Sequence, residues 1–251
     1  MENKHYIALE LDKVLELLAA KTTCEASALR ARELIPYSDW RDVSRAVRQT
    51  AQINTLSIRF GTPGLGGIRD CTAPLHRAAV GGRLSIPELL SVCRVLRTIR
   101  AVRDWRRQTE EPTDADGLFD ALTPNRALEE EIDRCILNDE ELQDTASPEL
   151  ASIRRKIRKA QLSIREKLER IIKSPQYAQV LQEAIITIRD GRSVVTVKVE
   201  RKGELPGLVH DTSSSKATVF VEPMAVVEAN NEIRLLQGEE QEEVDRILLE
   251  L

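Results

Sequence analysis

The spacing of apolar residues along the chain changes twice. Up to residue 183, apolar residues recur every three to four positions, which predicts amphipathic helices. Between residues 184 and 223 the period becomes two, which predicts β-strands, and after Pro223 the helical period returns. The pattern therefore predicts a mainly α protein in which a small β module is inserted between two helical parts.

A long helix should begin at Ser147-Pro148, because serine is a good N-cap and proline is tolerated at the first helical position. Behind this start, apolar residues follow a coiled-coil seam over about three heptads: Leu150, Ile153, Ile157, Ala160, Ile164 and Ile171. The helix after Pro223 carries a similar series. We expect the two helices to fold back on each other as an antiparallel coiled coil.

The β module should be a small antiparallel sheet of about 40 residues. Asp190-Gly191 is a hairpin signal, and the segment after it alternates Val195, Val197 and Val199 with Thr196, Lys198 and Glu200, which predicts a strand. Two further short strands are predicted around 208–210 and 218–221.

The first 146 residues read as a set of shorter helices. Ser85 and Glu88 have the spacing of a capping box, so a helix should start there. That helix carries an arginine at every third position: Arg94, Arg97, Arg100, Arg103 and Arg106. We interpret this row as a solvated, salt-bridged face, with a nucleic-acid groove as the alternative.

Composition excludes several classes of protein. The chain has 251 residues, of which 41% are hydrophobic and only 3% aromatic, so disorder and an all-β fold are disfavoured. No apolar run is long enough for a membrane span or a signal peptide, and a cytoplasmic protein is expected. The four cysteines lack Cys-x-x-Cys spacing and are interpreted as buried free thiols.

The net charge of −4 conceals two blocks of opposite sign. Residues 151–173 contain nine Lys or Arg and two Glu, whereas residues 228–251 contain eight Asp or Glu and two Arg. Such blocks suggest pairing between the two long helices, nucleic-acid contact by the basic helix, or both.

No catalytic arrangement is evident. His5, His76 and His210 lack the spacing of a metal site on a helix, so no metal site is predicted. His210-Asp211 close to Ser213 suggests a hydrolase, but a polar turn between two strands explains the same residues better.

A binding function has more support. The β module is rich in cations and hydroxyl groups, which contact phosphates without reading base sequence. The candidate nucleic-acid-binding residues are Arg189, Arg192, Lys198, Arg201, Lys202, Ser213, Ser214, Ser215 and Lys216. Ordinary solvated turns are the alternative. Phe220 is the only aromatic residue in the module, which disfavours a base-stacking platform.

Several segments together resemble the N-terminal half of the bacterial MutS-two family, the MutS paralogues that lack the mismatch-recognition domain. The resemblance runs in order along the whole chain, and its motifs are at 9–15, 66–70, 146–151, 188–192, 207–211, and 219–224 with Asn230-Asn231. It implies a helical MutS-type core (1–146), a basic lever helix (147–183), a β-rich clamp (184–223) and an acidic returning lever helix (224–251). Clamps of this kind grip the DNA backbone without sequence preference.

Whole members of this family resemble ABC-class ATPases that form homodimers and carry a C-terminal Smr endonuclease domain. They are associated with suppressing recombination through branched DNA and with rescuing stalled ribosomes, so the ribosome and its rRNA are the alternative partner. ATP and magnesium are expected only for the ATPase domain, because this chain has no Walker motif. No catalytic residue and no cofactor are expected here, and whether the chain is part of an enzyme stays open. The last helix lacks a stop signal at Leu251, which suggests a fragment.

The sequence departs from the family pattern at three positions. The family usually has an aromatic residue where this chain has Ser193, a proline where it has Thr196, and a glycine where it has Lys216. The last replacement puts the conformation of the loop in doubt, because glycine tolerates backbone angles that lysine avoids. It also adds a cation that could bind a phosphate.

Overall fold

A computed structural model of the chain describes residue 6, residues 8–214 and residues 216–251. The described residues are mostly helical and form one four-stranded antiparallel sheet, which confirms the coarse fold predicted from the apolar pattern. The chain divides into two compact units, Met1–Gln143 with Leu248–Leu251, and Asp144–Ile247. None of the helices in the described ranges combines the length and apolar character that a bilayer span requires. The division into core, lever and clamp stays a prediction.

The first unit contains the shorter helices. They are α1 (Leu11–Ala19), α2 (Glu25–Arg32), α3 (Trp40–Phe60), α4 (Thr72–Ala79), α5 (Ile86–Arg106), α6 (Asp116–Asp120) and α7 (Arg126–Cys135). Helix α5 starts where the capping box predicts, since Glu88 accepts hydrogen bonds from the backbone and the hydroxyl of Ser85.

The arginine row of α5 is a salt-bridged face, as predicted. Arg97 pairs with Asp133 on α7, and Arg100 pairs with the buried Glu129 at 2.7 Å. The hydrogen bond from Arg100 lowers the pKa of Glu129 below its ordinary value. The remaining members of the row bond to backbone carbonyls or to Asp116, so these cations are used inside the unit.

The cysteines are free thiols, and three of the four are buried; Cys24 is partly exposed. Burial is the main cause that raises the pKa of Cys93 to about 11. Such a thiol stays protonated near neutral pH and behaves as a small apolar side chain.

The second unit begins with the long helix α8 (Pro148–Ile172). A 3₁₀ turn at Pro175–Tyr177 leads into the strands β1 (Leu181–Arg189), β2 (Arg192–Lys198), β3 (Gly207–Thr212) and β4 (Thr218–Pro223). Helix α9 (Met224–Glu250) follows β4 directly. A further 3₁₀ turn, Val199–Arg201, follows β2.

Helices α8 and α9 lie side by side and antiparallel; we call this pair the stem. Ile153 and Ile157 on α8 pack against Leu236 on α9, and Ile164 shares a core with Ile233. The predicted seam residues of α8 are buried from Leu150 to Ile164, and Leu168 replaces Ile171 as the last fully buried one. The seam prediction is therefore confirmed over most of its length.

Charge pairing between the two helices is more limited than the opposite charge blocks suggest. Arg154 joins the helices through Glu240 at 2.7 Å, and the Ser147 hydroxyl donates to Glu243 at 2.5 Å. Arg158 instead bonds Asp144, just before α8, and Arg165 bonds Glu169 on its own helix. Apolar packing along the seam is thus the main contact between the helices.

The sheet has the strand order β1-β2-β4-β3, so β2 and β4 are its central strands. Val195, Val197, Val219 and Val221 pack into one core with Ile164, Leu168, Val226 and Ile233 of the stem. The hairpin prediction is confirmed, since Asp190 and Gly191 have φ values of 49° and 74°, both in the left-handed region that a type I′ turn requires.

One strand boundary was wrong, and the burial of a second strand does not follow its alternating sequence. Strand β1 begins at Leu181, inside the segment assigned to the lever helix, because Val180 and Leu181 are drawn into the core of the sheet. Strand β2 has no outward polar face, since Val194 and Thr196 are buried as well as Val195 and Val197. A central strand covered on both sides does not alternate. The Thr196 hydroxyl donates to the Glu183 carbonyl where the β1 ladder is irregular.

The Ser147–Glu243 contact should make stability depend on acid pH. Hydrogen bonds from Arg246 and Ser147 lower the pKa of Glu243 from 4.5 to about 2. Its stabilising contribution is present above pH 4.5 and is lost as pH falls toward 2. Urea denaturation between pH 6 and pH 3 should therefore show a smaller loss of unfolding free energy in Glu243→Gln than in the unmodified chain. Equal pH dependence would contradict this account.

Candidate nucleic-acid interface

The candidate binding residues lie at two opposite ends of the sheet. Arg189 and Arg192 flank the β1–β2 turn, which we call the hairpin end. The other described candidates follow β2 or β3 at the far end, which we call the loop end: Lys198, Arg201, Lys202, Ser213, Ser214 and Lys216. Arg192 and Lys198 are six residues apart on one strand, a distance of about 20 Å. Ser215 lies outside the described residues.

The loop end brings two segments together. Lys198 pairs with Thr218 in the β2–β4 ladder, and the Val199 N–H donates to the Ala217 carbonyl at 3.1 Å. The segment after β2 therefore lies beside the segment between β3 and β4. Lysines and serines separated by about 15 residues in sequence share one end of the sheet, an arrangement consistent with a small phosphate-binding surface.

The cations of the loop end are largely unpaired. The ammonium groups of Lys198, Lys202 and Lys216 have no carboxylate partner in the described part of the chain. Arg201 lies 3.9 Å from Glu204, a contact between two groups that are both about half exposed. Glu200 is also exposed here, so four cations face two carboxylates. The local charge is positive but moderate.

The β3–β4 loop is held by backbone hydrogen bonds. The Ser213 N–H donates to the Thr218 carbonyl at 2.8 Å, and its hydroxyl accepts from the Thr218 N–H at 3.1 Å. The Lys216 N–H in turn donates to the Ser213 carbonyl. Lys216 has φ 59°, a left-handed conformation that costs an L-residue about 1 kcal/mol or more. This explains the glycine expected at that position from the family pattern.

At the hairpin end, Arg189 lies against the outer surface of the sheet. Its guanidinium carbon is 4.1 Å from the centre of the Phe220 ring, and its Nε is 3.6 Å from the Asp211 carboxylate. The side chain is about half exposed and remains accessible to a phosphate.

Arg192 has a different environment, because its guanidinium binds a carboxylate inside the protein. Its Nη1 donates to both oxygens of Glu222, at 2.8 and 2.9 Å, and its Nη2 donates to Asn231 at 2.6 Å. The Glu222 side chain is fully buried. Phosphate binding by Arg192 stays a prediction, but the structure gives this residue an internal partner.

Glu222 is the centre of a network that joins three strands to α9. Besides Arg192 on β2, its carboxylate accepts from Asn230 on α9 at 2.7 Å and contacts His210 Nε2 on β3 at 2.6 Å. Asn230 also exchanges hydrogen bonds with the backbone of Ser193. A buried charge is stable only with such partners, so this network fixes the sheet to the stem.

The same contacts favour the polar-turn interpretation over a hydrolase. His210 is bound to Glu222, and the Ser213 hydroxyl is engaged with the backbone of its own loop. Among the described residues, no group of three His, Cys, Asp or Glu side chains could hold a metal ion. The described site is suited to binding.

Glu222, Asn230 and Asn231 lie in the motifs that carry the family resemblance, but sequence reasoning gave them no role in the site. One signal was available for Glu222, since a single carboxylate directly follows the apolar run Val219-Phe220-Val221, in which a strand was predicted. A charge in that position predicts a buried partner. Nothing in the sequence identifies Arg192, 30 residues earlier, as that partner.

Comparison with known proteins finds close relatives along the whole chain. The chain is 44% identical over 254 residues to a protein named Endonuclease MutS2 from Ruminiclostridium cellulolyticum, and 42% identical over 255 residues to that of Acetivibrio thermocellus. The Pelotomaculum thermopropionicum protein of the same name is 42% identical over 256 residues. All of this chain is covered in each case, but it spans only 32% of the length of these relatives. No protein-family model matches the chain.

The Glu222 network should be essential for stability, which Arg192→Ala would test. Removing one partner of a buried ion pair leaves an uncompensated charge, so we expect a loss of about 3 kcal/mol of unfolding free energy. The matched control, Arg189→Ala, removes a half-exposed pair and one ring contact and should cost about 1 kcal/mol. Urea denaturation measures both. Equal losses would show that Glu222 does not depend on Arg192.

Proposed function

Because this chain belongs to the MutS2 family along its whole length, we propose that it is a nucleic-acid-binding part of a MutS-like protein. In this proposal the loop end of the sheet holds the phosphate backbone of double-stranded or branched DNA. The β module acts as the clamp, and the stem acts as the lever that carries it.

The observation that carries the proposal is the cluster of unpaired lysines at the loop end. On α5, by contrast, the arginines are bonded to carboxylates or carbonyls of the protein itself. Lys198, Lys202 and Lys216 have no such partner among the described residues, and the exposed Ser214 adds a hydroxyl next to them. Ammonium and hydroxyl groups of this kind bind phosphate oxygens.

The chemistry of the loop end predicts binding without sequence preference. Sequence readout needs side chains that reach base edges or rings on which bases stack. The one aromatic residue of the module, Phe220, is buried and covered by Arg189. Contacts to the backbone alone give affinity that is steep in salt and nearly independent of base sequence.

Functions of the whole protein are a further part of the proposal. The relatives are named endonucleases, and the resemblance also implies ATP hydrolysis, dimerisation and suppression of recombination. This chain spans about a third of their length and contains none of the ATPase motifs. We therefore assign it the role of holding the nucleic acid on which those activities act. Ribosomal RNA offers the same phosphate chemistry, but no contact in the structure favours it over DNA.

Neutralising the loop end tests the proposal. We expect Lys198→Gln, Lys202→Gln and Lys216→Gln together to weaken binding to a four-way DNA junction and to a 30-base-pair duplex. The slope of log affinity against log salt should fall by about 0.9 for each phosphate that the variant no longer neutralises. Fluorescence anisotropy at several salt concentrations measures both quantities.

The control for this test neutralises three exposed cations of the first unit, Lys21, Arg30 and Arg69, which changes the net charge by the same amount. Equal losses in the two triple variants would reduce the effect to net charge and contradict the proposed site. A loss seen with purified ribosomes but not with either DNA would establish rRNA as the partner.

Lys216→Gly separates binding from folding. Glycine adopts the observed φ of 59° without strain, so the unfolding free energy should stay equal or rise by about 1 kcal/mol. DNA affinity should fall because a cation is removed. A variant that is no less stable yet binds more weakly assigns the loss to the missing cation. Unchanged affinity would remove Lys216 from the interface.

A further inference from the structure

The exposed side of α8 carries cations that the protein itself does not use. Of the nine cations in residues 151–173, Arg154, Arg158, Arg165 and Lys173 are bound to carboxylates. The other five are exposed and have no ion-pair partner in the described ranges: Arg155, Lys156, Lys159, Lys167 and Arg170. Pairing with the acidic helix therefore does not account for the charge of α8.

These five cations share one side of the helix. Four of them, with Ser163 in the middle, follow one another at intervals of three or four residues: Lys156, Lys159, Lys167 and Arg170. The fifth, Arg155, is four residues before Lys159. Residues at these spacings are neighbours on a helix surface. We call this row the basic stripe. It extends over 16 residues, or about 22 Å, and Glu166 is the exposed acid beside it.

Three of the four bound cations lie on the opposite flank of the buried seam. Arg154, Arg158 and Arg165 are next to one another there, at intervals of four and seven residues, and their partners are Asp144, Glu240 and Glu169. The basic residues of α8 thus divide into a flank that stabilises the stem and a stripe with no internal role.

We propose that the basic stripe is a second surface for duplex DNA, on which phosphates of the backbone lie along α8. This inference rests on the proposed DNA binding and extends it from the loop end to the stem. A row of cations about 22 Å long complements a regular row of phosphates, and flexible ammonium groups accept them without sequence preference. No apolar surface that a protein partner would require accompanies the stripe in the described part of α8, except for Leu162 at its edge.

The stripe also accounts for the composition of the helix. A solvated helix face is most stable when both signs of charge alternate at three- and four-residue spacing. Five like charges on one side instead repel each other, at a cost that a polyanion removes on binding.

The test compares three triple neutralisations in the complete 251-residue chain. The stripe variant carries Lys156→Gln, Lys159→Gln and Lys167→Gln, which remove three of the five cations. Glutamine has nearly the same helix propensity as lysine. The loop-end triple variant and the Lys21, Arg30, Arg69 variant provide the comparison. Anisotropy titrations use a 30-base-pair DNA duplex over a range of salt, and circular dichroism confirms that the helices are intact.

We expect the stripe variant to lose tenfold or more in affinity at low salt and to show a salt slope smaller by about 0.9 for each phosphate that it no longer neutralises. In the control variant of the first unit, both the affinity and the salt slope should change less than in the stripe variant. Combining the stripe and loop-end changes should reduce affinity further than either alone, since the two surfaces bind different phosphates.

Three results would overturn the inference. The stripe variant could behave like the first-unit control while the loop-end variant loses affinity, in which case the proposed function stands and the stripe has no part in it. The stripe variant could lose affinity for duplex RNA alone. Sedimentation could also show that the stripe holds a second copy of the chain through its acidic helix, with DNA affinity unchanged. Loss in the stripe variant without loss in the loop-end variant would instead refute the proposed function at the loop end.

Discussion

The structure of the second unit depends on one buried carboxylate. Glu222 is fully excluded from water, so its charge is tolerable only because Arg192, Asn230 and His210 surround it. Those partners come from β2, α9 and β3, which means that a single carboxyl group specifies how the sheet meets the returning helix. Apolar packing of valines against the stem supplies stability, but it would tolerate small shifts that fixed hydrogen-bond distances exclude.

This network separates a supporting end of the sheet from the end that we propose binds nucleic acid. Arg192 starts β2 at the hairpin end, and Lys198 ends the same strand at the loop end, about 20 Å away. Because β2 and β4 are central and buried on both faces, the sheet forms a stiff connection between the two ends. Cations of the loop end can therefore meet a ligand without disturbing the contacts that hold the module to the stem.

The sequence predicted what local physics controls. The Ser147-Pro148 cap and the Asp190-Gly191 turn depend on neighbours within a few residues, and the seam from Leu150 to Ile164 is visible in the apolar spacing of α8 alone. All three were predicted correctly. The environment of a residue whose partners are distant in sequence could not be predicted from local patterns. Thr196 is buried because a second strand and a bulge cover it, and Arg192 points inward because Glu222 stands opposite, 30 residues later.

The role of the two blocks of opposite charge could not be predicted from the sequence either. Their signs suggest pairing between the helices, but most of these charges are not used in that way. Alongside the Arg154–Glu240 pair that joins the two helices, α8 keeps a stripe of free cations, while α9 exposes Glu228, Glu232, Glu239 and Glu242 with no described partner. The seam already joins the helices through apolar contacts, so these charges are left for the surroundings. In the proposed complex, a stem that is basic on one helix and acidic on the other would attract a polyanion to α8 and repel it from α9. The charge blocks would then set the orientation of the proposed ligand, a property that neither helix would have if all its charges were paired.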